Sequence, residues 1–307
     1  MKILKIISAL LFWVGYQILI KLPFGVRRMV IIIFIFITWI NRLGKIKKNI
    51  RLLSSYSSDC RINQIIKQLK KTTAENQAFL LGSKSINIEK EIERLEVTGE
   101  IDWLLDLLRS GKKIIIVSPH TGPYDIALIL FARYLEQRLA PSPLRVFILF
   151  ENIPIIDTVT TDLRRVAGDS VHFERAKKGE TLTKADEYLN KGYAAVFGFD
   201  IIRKNSRGVL CKIGNAEGIF QAGWAVLAVR TDATVVPLFP SSGENGKIRV
   251  AVGSPFEVEK TGDEIKDIEN NIRRLVELYG PFLRDHLGEW LQLIHSDFVK
   301  TQILKRG

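Results

Sequence analysis

Cysteine is nearly absent. Cys60 and Cys211 are the only two in 307 residues, far apart and outside any Cys-x-x-Cys or Cys/His cluster. That argues against a disulfide framework and a zinc site, so no metal is expected, and it is compatible with a reducing compartment. Histidine is scarce too, with four in the chain. Acidic residues fall short of basic ones, 33 against 45, which leaves a net charge of +12. Such an excess suits an anionic partner: a phosphate-bearing ligand, an acidic lipid surface or nucleic acid. No recognised nucleic-acid module accompanies the charge, much of which flanks an apolar N-terminus, so nucleic acid is not expected as a partner. No repeat or low-complexity tract is visible. Ser118 has no Gly-x-Ser-x-Gly elbow around it, which disfavours a serine hydrolase.

Long apolar runs also stop short. Residues 6–20 are almost wholly apolar, Lys21-Leu-Pro-Phe-Gly breaks the pattern, and residues 29–40 form a second run. Neither reaches the roughly 20 residues of a comfortable transmembrane span. Basic residues lie on every flank: Lys2 and Lys5, then Lys21, Arg27 and Arg28, then Arg42, Lys45, Lys47, Lys48 and Arg51. A hairpin would carry the middle three to the far side, against the positive-inside tendency. Residues 1–44 are therefore expected to form a hydrophobic membrane anchor that dips into, or spans once from, the cytoplasmic leaflet. The alternatives are a buried core hairpin and a cleaved signal peptide, although no small-x-small site follows the first run. Residues 45–94 read as a basic helical linker region. Ile65, Ile66, Leu69, Ala74, Ala78 and Leu81 recur at a roughly helical period, and Lys67, Lys70 and Lys71 suit anionic headgroups or solvent equally.

From residue 95 the pattern alternates. Strands are expected near 113–118, 145–150, 194–199, 209–213, 234–239 and 248–252. Helices are expected near 101–109, 155–166, 180–190, 217–230 and 263–287. Residues 95–307 thus predict an α/β domain with a mixed, partly parallel sheet flanked by helices. Ligands collect at strand ends in such sheets. His120 and Asp200 each follow a strand, which is consistent with one site.

The most informative segment is Ile114-Ile-Ile-Val-Ser-Pro-His-Thr-Gly-Pro-Tyr-Asp125. An apolar strand delivers His120 into a Gly/Pro turn, and a helical pattern follows. Histidine exchanges protons near neutral pH, and a nearby carboxylate can orient its ring and stabilise its cation. Pro123 fits the first helical position, which makes Gly122 the N-cap and Asp125 the third helical residue. A carboxylate is favoured there whether or not it does chemistry. On one helix the two residues would be turned roughly 140° apart, so His120 must sit in the preceding loop for the pair to meet.

The order of these residues resembles the lipid A biosynthesis (lauroyl/myristoyl-type) acyltransferases, within the lysophospholipid acyltransferase superfamily, whose signature is His-x4-Asp or His-x4-Glu. The resemblance covers nearly the whole chain. Lys48-Asn-Ile-Arg-Leu52 is similar to an Asn-Leu-x-Leu stretch after the anchor, and Gly192-Tyr-Ala-Ala-Val-Phe-Gly-Phe-Asp200 to a Gly-x-x-Val…Asp strand. Residues 209–223 resemble a strand running into a Gly-rich helix start, and Thr231-Asp-Ala-Thr-Val-Val-Pro237 a Thr-Gly-Ala-x-Val-Val-Pro segment. Thr-Gly-Pro-Tyr-Asp replaces the usual Gly-Asn-Trp or Gly-Pro-x-x-Glu surroundings. The Phe-Pro-Glu-Gly signature of the phospholipid branch is absent, which argues against ordinary lysophosphatidate acylation.

The resemblance implies direct acyl transfer from a thioester, acyl-acyl carrier protein or acyl-CoA, to a hydroxyl of a lipid A precursor-like acceptor. No cofactor beyond that co-substrate is implied. His120 would act as the base and Asp125 would orient its ring. Arg164 and Arg165, in a stretch resembling an Arg-x-x-Gly region, would hold a phosphate, although a helix C-terminus favours any cation. Asp200 would shape the acceptor pocket. His172, His286 and His295 receive no role. The implied location is the bacterial inner membrane, with the catalytic domain on the cytoplasmic side and an anionic lipid surface as partner. Another glycolipid or lysophospholipid acceptor is the alternative, as is a noncatalytic lipid-binding protein of the same fold.

Overall fold

A computed structural model describes residues 18, 21–39, 42–54, 58–82, 87–140, 145–151, 166–176, 179–200, 208–296 and 298–300. Strand β2 (Ile114–Ser118) dictates the architecture. All five of its residues are buried, and a strand with no polar face needs cover on both sides. The main sheet also contains β1 (Leu95–Gly99), β3 (Val146–Glu151), β4 (Val171–Ala176), β5 (Ala194–Gly198), β8 (Thr234–Ser242) and β9 (Ile248–Val252). Its order is β1-β9-β8-β2-β5-β3-β4. The block from β8 to β4 is parallel. β9 is antiparallel to β8 and parallel to β1, so the sheet is mixed, as expected. A smaller antiparallel sheet joins β6 (Gly208–Ile213), β7 (Ala216–Gln221) and β10 (Val299–Lys300).

Side chains of β2 alternate between two hydrophobic clusters, as the two-residue period of a strand requires. Ile114 and Ile116 face the helices α5 (Ile101–Arg109) and α6 (Tyr124–Leu139) through Leu104, Ile126 and Leu130. Ile115 and Val117 face the opposite layer, which includes α8 (Gly223–Arg230) and α9 (Glu264–Asp285) through Trp224, Leu275 and Tyr279. Helix α7 (Thr181–Asn190) adds Ala185 and Leu189 to that layer.

The chain before residue 95 contributes to the same core. Helix α1 (Phe24–Trp39) is followed by α2 (Leu43–Leu53), α3 (Asp59–Gly82) and the short α4 (Ile88–Ile92). Ile46, Ile50 and Leu53 of α2 and Ile62, Ile66 and Leu69 of α3 join the cluster that holds Tyr279. Helix α1 packs on α3, and buried Arg27 donates to the Leu22 carbonyl at 2.8 Å and the Ala78 carbonyl at 3.4 Å. The other side of α1 exposes Val26, Met29, Ile32, Ile33 and Phe34. Among the described residues no helix is long and apolar enough to cross a membrane. The first apolar run, Ile18 apart, lies outside them.

Three strands, β1, β4 and the two-residue β10, have no counterpart in the sequence pattern above. A further difference concerns residues 216–221, expected to reach into a helix beginning at Glu217. They form β7, with Glu217 paired to Lys212. The cause is Gly214-Asn215: Gly214 has φ +59, as the first central position of a II′ hairpin turn requires. The following residues then alternate in burial as a strand does.

Asn49, in the stretch after the apolar segment, is buried and donates to the carbonyls of Leu293 and Ser296, both at 3.0 Å. Asn49→Leu removes both donors and strands two carbonyls. Losses of about 1–3 kcal/mol follow from such unpaired groups, so denaturant unfolding of the variant is expected to show a lower midpoint with an unchanged slope.

Candidate active site

The register of β2 and β5 builds the site. Ile115 pairs with Ala195 and Ser118 with Gly198, a constant offset carried to the ends of both strands. Two residues beyond that last pair stand His120 and Asp200, side by side just past the ends of neighbouring parallel strands. The His120 Nδ1 lies 2.6 Å from Asp200 Oδ1, and the His120 backbone N–H donates to Oδ2 at 2.8 Å. Trp290 Nε1 donates to the same Oδ2 at 2.7 Å. Asp200 is fully buried, and these three donors offset the cost of holding a charge away from water.

Contact at Nδ1 fixes the tautomer. The proton of neutral His120 sits on Nδ1, facing the carboxylate, and Nε2 keeps its lone pair. No described residue hydrogen-bonds to Nε2. The imidazole is partly open to solvent, with 21% of its side-chain surface exposed. Burial pulls its pKa down, but the charge and hydrogen bond of Asp200, aided by the charge of Asp125, outweigh that and hold it above the ordinary histidine value.

Packing restricts the ring further. A Cβ added at Gly198 would stand 2.2 Å from His120 Cε1, so only glycine leaves room for the imidazole. The Tyr124 ring lies against it with centroids 4.3 Å apart. Burial, then the charges of Asp200 and Asp125, raise the Tyr124 pKa well above its usual value and keep the phenol protonated. The loop is pinned from behind: Thr121 Oγ1 donates to the Pro240 carbonyl at 2.6 Å. The Gly122 N–H donates to the Glu289 carbonyl at 3.1 Å, and the Leu291 N–H to the His120 carbonyl at 2.8 Å. The Glu289 carboxylate accepts the Ser242 N–H at 2.7 Å.

The sequence-derived assignments fare differently. Asp200 was expected at the acceptor pocket, and both its oxygens are engaged by His120 and Trp290. Asp125 was expected to orient the imidazole, but the Nδ1 contact belongs to Asp200. The Asp125 carboxylate accepts from Asn76 Nδ2, and its backbone N–H donates to Asn76 Oδ1 at 3.0 Å. Helix α6 also begins one residue later than the sequence suggested. Gly122 takes φ +61 and Pro123 has a non-helical ψ of 63, so Pro123 is the N-cap and Asp125 the second helical residue. Arg164 and Arg165 lie outside the described residues. His172 bonds the Tyr188 hydroxyl, His286 the Phe282 carbonyl and His295 the Arg42 guanidinium, and none of the three contacts His120.

Gly198, Asn76 and Trp290 were not singled out by their sequence positions. Gly198 sits inside the Phe-Gly-Phe-Asp stretch already noted, where a glycine in a strand signals close approach. Asn76 and Trp290 carry no spacing signal, since they are 49 and 90 residues from the groups they bond.

The geometry fixes a sign. His120 is expected to titrate above the ordinary value of about 6.5. Asp200→Asn keeps the burial but removes the charge, so the pKa should fall below that value. NMR titration of the imidazole in both proteins measures this, and an unchanged pKa in the variant would remove Asp200 as the cause.

A model of one protein family, described as bacterial lipid A biosynthesis acyltransferase, matches residues 1–298 of the chain. No curated protein matches it.

Proposed function

The chain belongs to the bacterial lipid A biosynthesis acyltransferase family, and we propose that it moves a fatty acyl chain from a thioester to a hydroxyl of a lipid A precursor-like glycolipid. The donor is acyl-acyl carrier protein or acyl-CoA. The observation that supports this most is the 2.6 Å contact between His120 Nδ1 and Asp200, which leaves Nε2 as an available base.

Nε2 takes the acceptor proton as the hydroxyl oxygen attacks the thioester carbonyl. A C–O bond forms, the tetrahedral intermediate collapses, and the C–S bond breaks. The proton held on Nε2 passes to the departing thiolate, so the products are an ester and a free thiol, and His120 ends neutral. Throughout, Asp200 accepts the hydrogen bond from Nδ1–H and stabilises the imidazolium. Asp125 adds a second negative charge nearby. Because the two carboxylates make the imidazole more basic, it is neutral only above its raised pKa, and the acid limb of the rate profile should lie there. Arg164 and Arg165 are suited to a phosphate of the acceptor or donor. The reaction as written needs no further cofactor and no enzyme nucleophile.

We place the protein at the cytoplasmic side of the bacterial inner membrane. The exposed apolar side of α1 suits the edge of the hydrocarbon layer, and the net charge of +12 suits anionic headgroups. Replacing Met29, Ile33 and Phe34 together with Gln should move much of the protein to the soluble fraction, and the remainder should be released by salt. Salt-resistant sedimentation of the folded triple variant with membranes would overturn that placement.

His120→Ala is expected to lower turnover by about 10²- to 10⁴-fold while leaving thermal stability close to the parent. Lipid mass spectrometry of cells with and without the gene tests the substrate. A mass difference of one acyl group on a glycolipid fits the proposal. The same difference on a lysophospholipid assigns a different acceptor, and near-normal turnover in His120→Ala sinks the mechanism.

A further inference from the structure

We propose that Asn76, on α3, is a positioning residue that locks the Asp125 carboxylate in one orientation beside His120, making α3 part of the catalytic apparatus. This rests on His120 being the catalytic base.

The contact is reciprocal. One amide offers Nδ2–H to the Asp125 carboxylate and Oδ1 to the Asp125 N–H. Those are two different demands at neighbouring atoms, and among short side chains only a carboxamide offers a donor and an acceptor on two separate atoms. The need arises in α6 itself. The first N–H groups of a helix have no partner within it, and α6 is preceded by Pro123, which supplies no side-chain cap. Asn76 therefore caps α6 from another helix, and in doing so fixes the carboxylate one residue inside it.

Asn76 is itself held in place. It is 5% exposed, and α3 is seated against the turn at residues 287–289. A Cβ at Gly288 would lie 2.9 Å from Gln68 Cβ, so the two backbones approach as closely as a glycine allows. Residues 287–289 lead directly into Trp290, which bonds Asp200. Helix α3 thus touches the supports of both carboxylates.

The electrostatic consequence has one sign. Burial raises the Asp125 pKa, opposed by the Asn76 hydrogen bond and then by the His120 charge. Without the amide, burial carries it higher, so Asp125 holds its charge less firmly, and His120 loses part of one of the charges that raise its own pKa.

The test is a double-mutant cycle in the full chain: Asn76→Leu, Asp125→Asn and both together. Turnover is measured across pH with a long-chain acyl-CoA and extracted membrane glycolipid, and the His120 imidazole is titrated by NMR without substrate. Asn76→Leu should lose roughly tenfold or more in kcat at neutral pH, the scale of a hydrogen bond to a charged group. KM should change little, and the imidazole pKa, with the acid limb of the rate profile, should move to lower pH. In the Asp125→Asn background the same substitution should cost nothing further, because coupled residues are non-additive. An equal loss at every pH, or the same loss repeated in that background, would overturn the proposal. If Asn76→Leu does not fold, Asn76→Ser, too short to reach Asp125, carries the same test. Near-normal turnover in His120→Ala would instead refute the catalytic reading, and the imidazole titration would still decide whether Asn76 acts through Asp125.

Discussion

A single buried carboxylate organises this protein. Asp200 has no exposure to solvent, and its charge is tolerable only because three N–H groups converge on it. Two come from His120 at the end of β2, and the third from Trp290. Removing a partner from a buried charge typically costs about 3–5 kcal/mol, so the strand ends and residues 286–296 are bound to one another by the same group that orients the imidazole. Fold stability and the orientation of the imidazole therefore share an atom pair. The strands do not have to be placed and then tuned, because placing them correctly is what pairs the charge.

The supports behind this pair are themselves joined. The Tyr279 hydroxyl, on α9, lies 2.8 Å from the Val117 carbonyl, just below the end of β2, and 3.0 Å from the Leu238 carbonyl at the middle of β8. Asn49 on α2 holds the carbonyls of Leu293 and Ser296, only a few residues past Trp290. Helix α3 meets α1 on one side and residues 287–289 on the other. The apolar surface of α1 and the polar centre of the site are thus two ends of one packed layer. Arg27 illustrates the join: its guanidinium is buried and satisfied by backbone carbonyls.

Much of the sheet was legible because β2 is a β-branched run and β3, β5 and β8 begin as short apolar stretches. The two strand-end residues, His120 and Asp200, could be assigned to one locality on that basis alone. Their pairing was not legible, since it depends on the register of β2 against β5, and the spacing of one histidine and one aspartate five apart draws the eye to Asp125. Helix α3 was misleading in a different way. Lys67, Lys70 and Lys71 advertise a surface, while Thr72 and Asn76 on the buried side look unremarkable in a sequence. The hairpin of β6 and β7 carried its signal in Gly214-Asn215, masked by the helical composition of the residues after it. Arg164 and Arg165 rested on a resemblance to an Arg-x-x-Gly region and lie outside the described residues.

Asp200 takes its donors from 80 residues earlier and 90 residues later in the chain. Such separations are slow to close, because loop entropy is lost before any contact repays it. As synthesis runs from the N-terminus, β2 and β5 are available well before Trp290 exists. A half-made chain can therefore possess the histidine and the aspartate and still lack the third donor that keeps the buried charge paired. Completion of the pocket around Asp200 is a late event in synthesis, and the apolar helix α1 is made long before it.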